Sequence, residues 1–266
     1  MDTATFRFYA ELNDFLPREK RQSSFPYAFN RGQSVKHLIE SAGVPHPEVE
    51  LIVVNGEPVD FSYLVADGDN VSVYPLMTTL TVPENASVAQ RSSGRLRPPP
   101  PSPARFVLDI HLGQLARYLR LLGFDTVYPD HSHDDADLAQ IAHDEMRIML
   151  TRDRGLLKRS LVMHGYILRT KNSEEQLTAV LHRYHLFDDI QDTPRCLRCN
   201  GQLKPVAKET ILDRLEPKTR LYYDTFHICT DCEQIYWQGS HYPKLRAFVK
   251  SIQACPTQAP NFKLRG

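Results

Sequence analysis

At 266 residues the chain is long for one domain and sufficient for two or three, each able to bury its own core. Its 32 basic and 32 acidic side chains cancel, the N-terminus carries no apolar signal core, and no apolar run is long enough to cross a bilayer, which together exclude a membrane-spanning chain and predict a soluble, cytoplasmic one. The balance conceals a polarity along the chain: residues 1–82 carry 6 basic and 11 acidic side chains (net −5) and residues 196–266 carry 11 and 6 (net +5), so the tail suits a polyanion such as RNA.

In chain order, residues 1–82 predict a first domain. Stretches 5–12 and 24–29 read as a strand pair, and 34–41 as a short helix capped by Ser34. Strands follow at 49–55 and 70–74, with Asn55-Gly56 and Asp67-Gly68-Asp69 as turns. This ββαββ order is that of a β-grasp domain and resembles the ubiquitin-like sulfur carriers of molybdopterin and thiamine synthesis. Those carriers end in a free Gly-Gly pair, which is missing here, so a docking or regulatory role with a protein partner is expected instead of carrier chemistry. The acidic balance also predicts that this half is dispensable for work on a polyanion. Residues 83–104, with four consecutive prolines at 98–101, read as a linker, because proline fits neither a helix interior nor a central strand.

Residues 105–192 switch between strand and helix periods. Predicted strands are 106–108, 126–128, 147–151 and 166–170. Predicted helices are 112–122, stopped by Gly123, then 135–145, 156–162 and 174–186, the last capped by Ser173. Alternation of this kind implies a parallel sheet covered by helices. Residues 193–255 are short strands between cysteines, around an insert at 213–220 and before a helix opened by Pro243. Residues 256–266 read as a tail, and Cys255 as a spare thiol.

Cys196-Leu-Arg-Cys199 and Cys229-Thr-Asp-Cys232 are the strongest chemical signal. A C-x-x-C turn offers two sulfurs to one ion, and two such turns close a tetrahedral site for zinc, or for iron in the same thiolate cage, in a structural role. Adjacent pairs in a reducing compartment argue against disulfides. The second signal is carboxylate. Asp109 follows the first strand of the α/β region and Asp153 follows the third, 44 positions later, while Asp135 opens the helix between them with Asp134 beside it. Ligand-binding side chains gather at the carboxyl ends of parallel strands, and crowded carboxylates suit Mg²⁺ or Mn²⁺. Taken singly, Asp134 or Asp135 serves equally well as a helix cap. Arg117 and Arg120 are expected on the polar side of their helix, and Arg152 and Arg154 flank Asp153, all four as candidate RNA-phosphate contacts. A solvated helix face would explain the first two as well. His111 and His133 sit beside the acids, and aromatic residues 222, 223, 226, 236, 237 and 242 interleave with basic ones around the knuckles, a pattern that can stack single-stranded RNA.

Several ordered stretches carry a family resemblance: Asp109-Ile-His-Leu-Gly-Gln-Leu-Ala-Arg-Tyr-Leu-Arg120, Asp134-Asp135, Leu150-Thr-Arg-Asp-Arg154, Arg195-Cys-Leu-Arg-Cys-Asn200 and Cys229-Thr-Asp-Cys-Glu-Gln-Ile-Tyr-Trp237. The chain resembles the Mut-seven C-terminal RNase domain family fused behind a Mut-seven-type ubiquitin-like domain. The resemblance implies a PIN-like nuclease fold with a fused zinc ribbon and hydrolysis of RNA phosphodiesters by Mg²⁺ or Mn²⁺ held on Asp109, Asp135 and Asp153. The second acid of typical PIN domains has no counterpart here, which leaves a catalytically silent RNA-binding or ribosome-associated adaptor as the alternative.

Overall fold

A computed structural model describes residues 1–76, 96–129, 133–191, 193–237, 243–244, 247–248 and 250–251. The fold is mixed α/β with several sheets, and it divides into two compact units. One joins Met1–Pro101 to Asp135–Ile167, and the other joins Ser102–Asp134 to Leu168–Gly266. Along the chain the strands are β1 (Asp2–Phe8), β2 (Phe25–Phe29), β3 (Val49–Val54), β4 (Glu57–Val59), β5 (Asn70–Pro75), β6 (Arg105–Leu108), β7 (Asp125–Val127), β8 (Ile148–Thr151), β9 (Gly165–Ile167), β10 (Leu203–Val206), β11 (Phe226–Cys229) and β12 (Ile235–Trp237). The α-helices are α1 (Val35–Ser41), α2 (Gly113–Leu121), α3 (Asp135–Asp144), α4 (Arg154–Leu157), α5 (Ser173–Arg183) and α6 (Pro217–Tyr222).

In the first unit, Ala4, Phe6 and Phe8 alternate inward along β1, as a strand's period of two requires when one face is buried. Strand order is β2-β1-β5-β3-β4, with β1 parallel to β5 in the middle and antiparallel to β2. This is the ubiquitin-like arrangement expected from the sequence. α1 buries Val35, Leu38 and Ile39, and Ser34 Oγ accepts from His37 N at 3.3 Å as the predicted cap. The first strand stops at Phe8 rather than near residue 12, because Ala10 takes φ 46° and turns the chain into a 3-10 helix, Ala10–Phe15. Asn13 stabilises that departure: its side-chain amide donates to the carbonyls of Phe8 and Ala10, and its Oδ1 accepts from Gln22 N. A short strand, β4, follows the predicted Asn55-Gly56 turn, where both residues have positive φ.

The same unit contains α3, β8, α4 and β9. β8 and β9 run parallel, with Leu150 opposite Tyr166. The helix expected over 156–162 is a single turn, α4, whose Leu157 packs on β9 so closely that a Cβ at Gly165 would collide with it.

In the second unit β6 and β7 pair in parallel, Phe106 opposite Thr126. α2 buries Leu115, Ala116 and Leu119 and ends at Gly123, whose φ of 88° is open to glycine at little cost. α5 buries Leu177, Val180 and Leu181. Its cap is Asn172, whose Oδ1 accepts from Glu174 N and Glu175 N, and not Ser173 as predicted. Antiparallel strands β10, β11 and β12 enclose a small core of Ile211, Leu215, Phe226 and Ile235. The insert expected as a loop includes α6, opened by Pro217. Of the helix predicted from Pro243, residues 243–244, 247–248 and 250–251 are helical. Cys255 and the tail lie outside the described residues.

Candidate functional site

The cysteine module is built from two tight turns. In the first, Cys196 N donates to Gly201 O at 2.8 Å, Asn200 adopts φ 71°, and Cys199 N points to Cys196 Sγ at 3.5 Å. In the second, Cys229 N donates to Gln234 O at 3.0 Å, and Asp231 N points to Cys229 Sγ at 3.4 Å. The four sulfurs all lie within 4.8 Å of one another, the shortest pairs being Cys199–Cys229 at 3.4 Å and Cys196–Cys232 at 3.5 Å. Tetrahedral zinc with Zn–S bonds near ~2.3 Å requires sulfurs about 3.8 Å apart, so this donor set fits such an ion with small adjustments. Tyr236 supports the set from β12: its hydroxyl accepts from Leu197 N at 3.0 Å and lies 3.1 Å from Cys196 Sγ. Burial pushes the Cys196 thiol up, but the Tyr236 hydroxyl and the backbone amides of Cys199 and Arg198 outweigh it and bring the group down to about 6. Gly201 is required by contact, since a Cβ there would meet Cys229 Sγ at 2.8 Å and Asp231 more closely still.

A buried arginine joins this module to α2 and β7. Arg120, expected on the polar side of its helix, is only 4% exposed. Its Nε donates to Thr126 O and its Nη1 to Leu197 O, both at 2.9 Å, so the guanidinium satisfies carbonyls of β7 and of the first knuckle. Asn200 completes the seam by accepting from Thr126 N at 2.9 Å and donating to Asp125 Oδ1 at 2.7 Å. Arg195 lies 3.9 Å from the same Asp125 carboxylate. Sequence alone assigns neither Asp125 nor Asn200 a part in this seam. The signal that could have found them is the pairing of an Asp at a strand start with an Asn directly behind a knuckle.

Each candidate carboxylate stands where a regular element begins or ends. Asp109 follows β6, is 6% exposed, and accepts from His111 N at 2.8 Å as the cap of a 3-10 turn, Ile110–Leu112. Asp153 follows β8, is exposed, and accepts from Gly155 N at 2.6 Å as the cap of α4. Asp135 is the exposed first residue of α3, and exposed Asp134 precedes it. Asp109 and Asp134 belong to one unit, Asp135 and Asp153 to the other. Among the candidate basic residues, Arg117 is exposed on α2 and Arg152 is exposed beside Asp153. Arg154 stacks its guanidinium 5.0 Å from the Phe15 ring centre, and its Nη1 is 3.5 Å from Phe15 O. The aromatic interleaving divides between jobs: Phe226 is core, Tyr236 supports the thiols, and Tyr222 and Trp237 are 71% and 40% exposed. Tyr242 lies outside the described residues.

No helix among the described residues is long and apolar enough to cross a membrane. Comparison with known families matches residues 1–81 to the Mut7-C ubiquitin domain and residues 104–249 to the Mut7-C RNAse domain. No curated protein and no solved structure matches the chain. The RNAse-domain match covers more than half of the sequence, and the chain therefore belongs to the Mut7-C RNAse domain family.

Proposed function

We propose that this protein is a cytoplasmic, metal-dependent ribonuclease that hydrolyses RNA phosphodiester bonds. The observation that carries the reading is the family match over residues 104–249, within which Asp109 and Asp153 each follow the carboxyl end of a parallel strand. In this reading Asp109, Asp135 and Asp153, supported by Asp134, are the hard oxygen donors that Mg²⁺ or Mn²⁺ prefers. A bound divalent ion would supply charge to activate water and to stabilise the leaving oxygen. The chain's own contribution is to orient. Backbone amides at His111 and Gly155 fix the Asp109 and Asp153 carboxylates, and Arg117, Arg152 and Arg154 offer guanidinium groups to the phosphate backbone. Arg120, buried under the first knuckle, is assigned to structure instead.

The four cysteines hold zinc in this reading. A site closed by four thiolates keeps no position for water, so the ion is structural. The net charge of +5 over residues 196–266 gives the ribbon RNA affinity through counterion release, which falls as salt rises.

Cleavage of total cellular RNA with Mn²⁺, wild type beside Asp153→Asn, tests the reading. Asn remains a good cap, so the fold should persist while cleavage falls to background. Equal activity in the two proteins would remove Asp153 from the site. The capping hydrogen bonds of Asp109 and Asp153 also favour a second reading, an RNA-binding or ribosome-associated adaptor without turnover, since those bonds give both carboxylates a structural task. Saturable RNA binding with no metal-stimulated cleavage is the result that would select it.

A further inference from the structure

The ubiquitin-like half buries a face that is charged, and the groups that cover it come from residues 154–167. Glu48, at the end of a 3-10 turn (His46–Glu48), is 0% exposed, and its Oε1 accepts from Ile167 N at 2.6 Å. His46 is 5% exposed, with Nδ1 2.7 Å from Glu40 Oε1 and Nε2 2.9 Å from Val162 O. Arg97 follows the expected linker's first half, yet its side chain is only 8% exposed. It donates to His46 O at 3.3 Å and to Val49 O on one side, and to Met163 O at 3.0 Å on the other. Lys158 Nζ donates to Glu40 O at 2.5 Å, and Arg154 lies over the Phe15 ring.

A carboxylate and a guanidinium lose several kcal/mol of hydration on burial unless partners replace the water. His46 has Glu40 at 2.7 Å and Arg97 has Glu50 at 3.6 Å, while Ile167 N, Val162 O and Met163 O supply further partners from residues 154–167. A module that swung freely on a linker would present these groups to water. We infer that the partner of the ubiquitin-like domain is its own chain: the face made by His46, Glu48 and Val49 is an intramolecular docking surface for Arg97 and residues 154–167, and the association survives loss of the covalent connection. On this inference the front half is not dispensable, because removing it strips β9 of the carboxylate that caps its last amide, leaves the Val162 carbonyl without His46, and leaves Arg97 without the carbonyls of His46 and Val49. The inference does not depend on the ribonuclease reading, since its readout is association and not cleavage.

The test uses the full chain with a specific protease site introduced between residues 84 and 94, cut after purification and run on size exclusion at micromolar concentration. The two pieces are expected to co-elute. Glu48→Ala, and separately Arg97→Ala, should weaken the association by roughly a hundredfold, the scale for truncating one partner of a buried charged contact, whereas exposed Arg31→Ala should leave it intact. Separate elution of the wild-type pieces overturns the inference. Co-elution that neither Glu48→Ala nor Arg97→Ala weakens overturns the assignment of the face.

Discussion

Each compact unit is stitched by a buried arginine that donates to backbone carbonyls on two sides. Arg120 links α2 to β7 and the first cysteine knuckle, and Arg97 links residues 46–49 to Met163. The surroundings differ. Arg120 works beside Asn200 and Asp125 and near the thiols of Cys196 and Cys199. Arg97 works near His46 and His164 and 3.6 Å from the Glu50 carboxylate. The same device therefore yields one seam set among cysteine thiols and another set among histidines.

The largest expected effect breaks the first seam from the metal side. Cys199→Ser removes one of four thiolates, and because structural zinc in small modules contributes roughly 10–16 kcal/mol of binding that is also folding energy, the ribbon should unfold. Metal analysis should fall from near one zinc per chain to well below it, while hydrogen exchange in β8 and β9 stays slow. A full equivalent of zinc in the variant would refute the ligand assignment. A smaller effect is expected for Arg120→Ala, which leaves carbonyls at Thr126 and Leu197 without their donor. Hydrogen bonds involving a charged group contribute about 1.5–3 kcal/mol, so denaturant unfolding should shift by that order, with the zinc retained.

The second seam should respond to acid through its histidines. Burial, with Arg97 nearby, pushes His164 down to about 4 from 6.5. A depressed histidine contributes stability that is fully present above pH 6.5, where neither state is protonated, and that is lost as the pH falls toward about 4, because only the unfolded chain takes up the proton in that window. The slope from one such group is at most about 1.4 kcal/mol per pH unit. His164→Gln should flatten the acid limb of the first unit's unfolding curve. An unchanged limb would assign the acid sensitivity to other groups.

What the sequence made legible was local chemistry. Ser34 was readable as a cap because a hydroxyl three residues before a free amide needs no tertiary partner. The knuckles were readable because each ligand pair lies within one turn. Legibility failed where two local signals competed, as at Asn172 and Ser173, both good caps in adjacent positions. It failed more deeply where a distant segment decides the environment. Arg120 looks like a surface residue until Leu197 arrives from 77 positions away, and Glu48 until Ile167 arrives from 119. Charged residues at helical or loop positions default to solvent in any sequence reading, and only the three-dimensional partner reverses that. Of the candidate site, the four cysteines are brought together, whereas the carboxylates are each placed at the strand end or helix start that the pattern implied.

The capping bonds of Asp109 and Asp153 have a consequence for affinity. A side chain that already accepts from its own backbone at 2.6 to 2.8 Å has surrendered its rotational freedom during folding, so a ligand arriving at the carboxylate does not have to freeze it again. Ordering a mobile side chain costs about 0.5–1.5 kcal/mol at binding, and both aspartates are spared it. Glutamate carries the same charge on a longer arm that reaches past the amide two residues on, which makes Asp153→Glu a loss of preorganisation at constant charge.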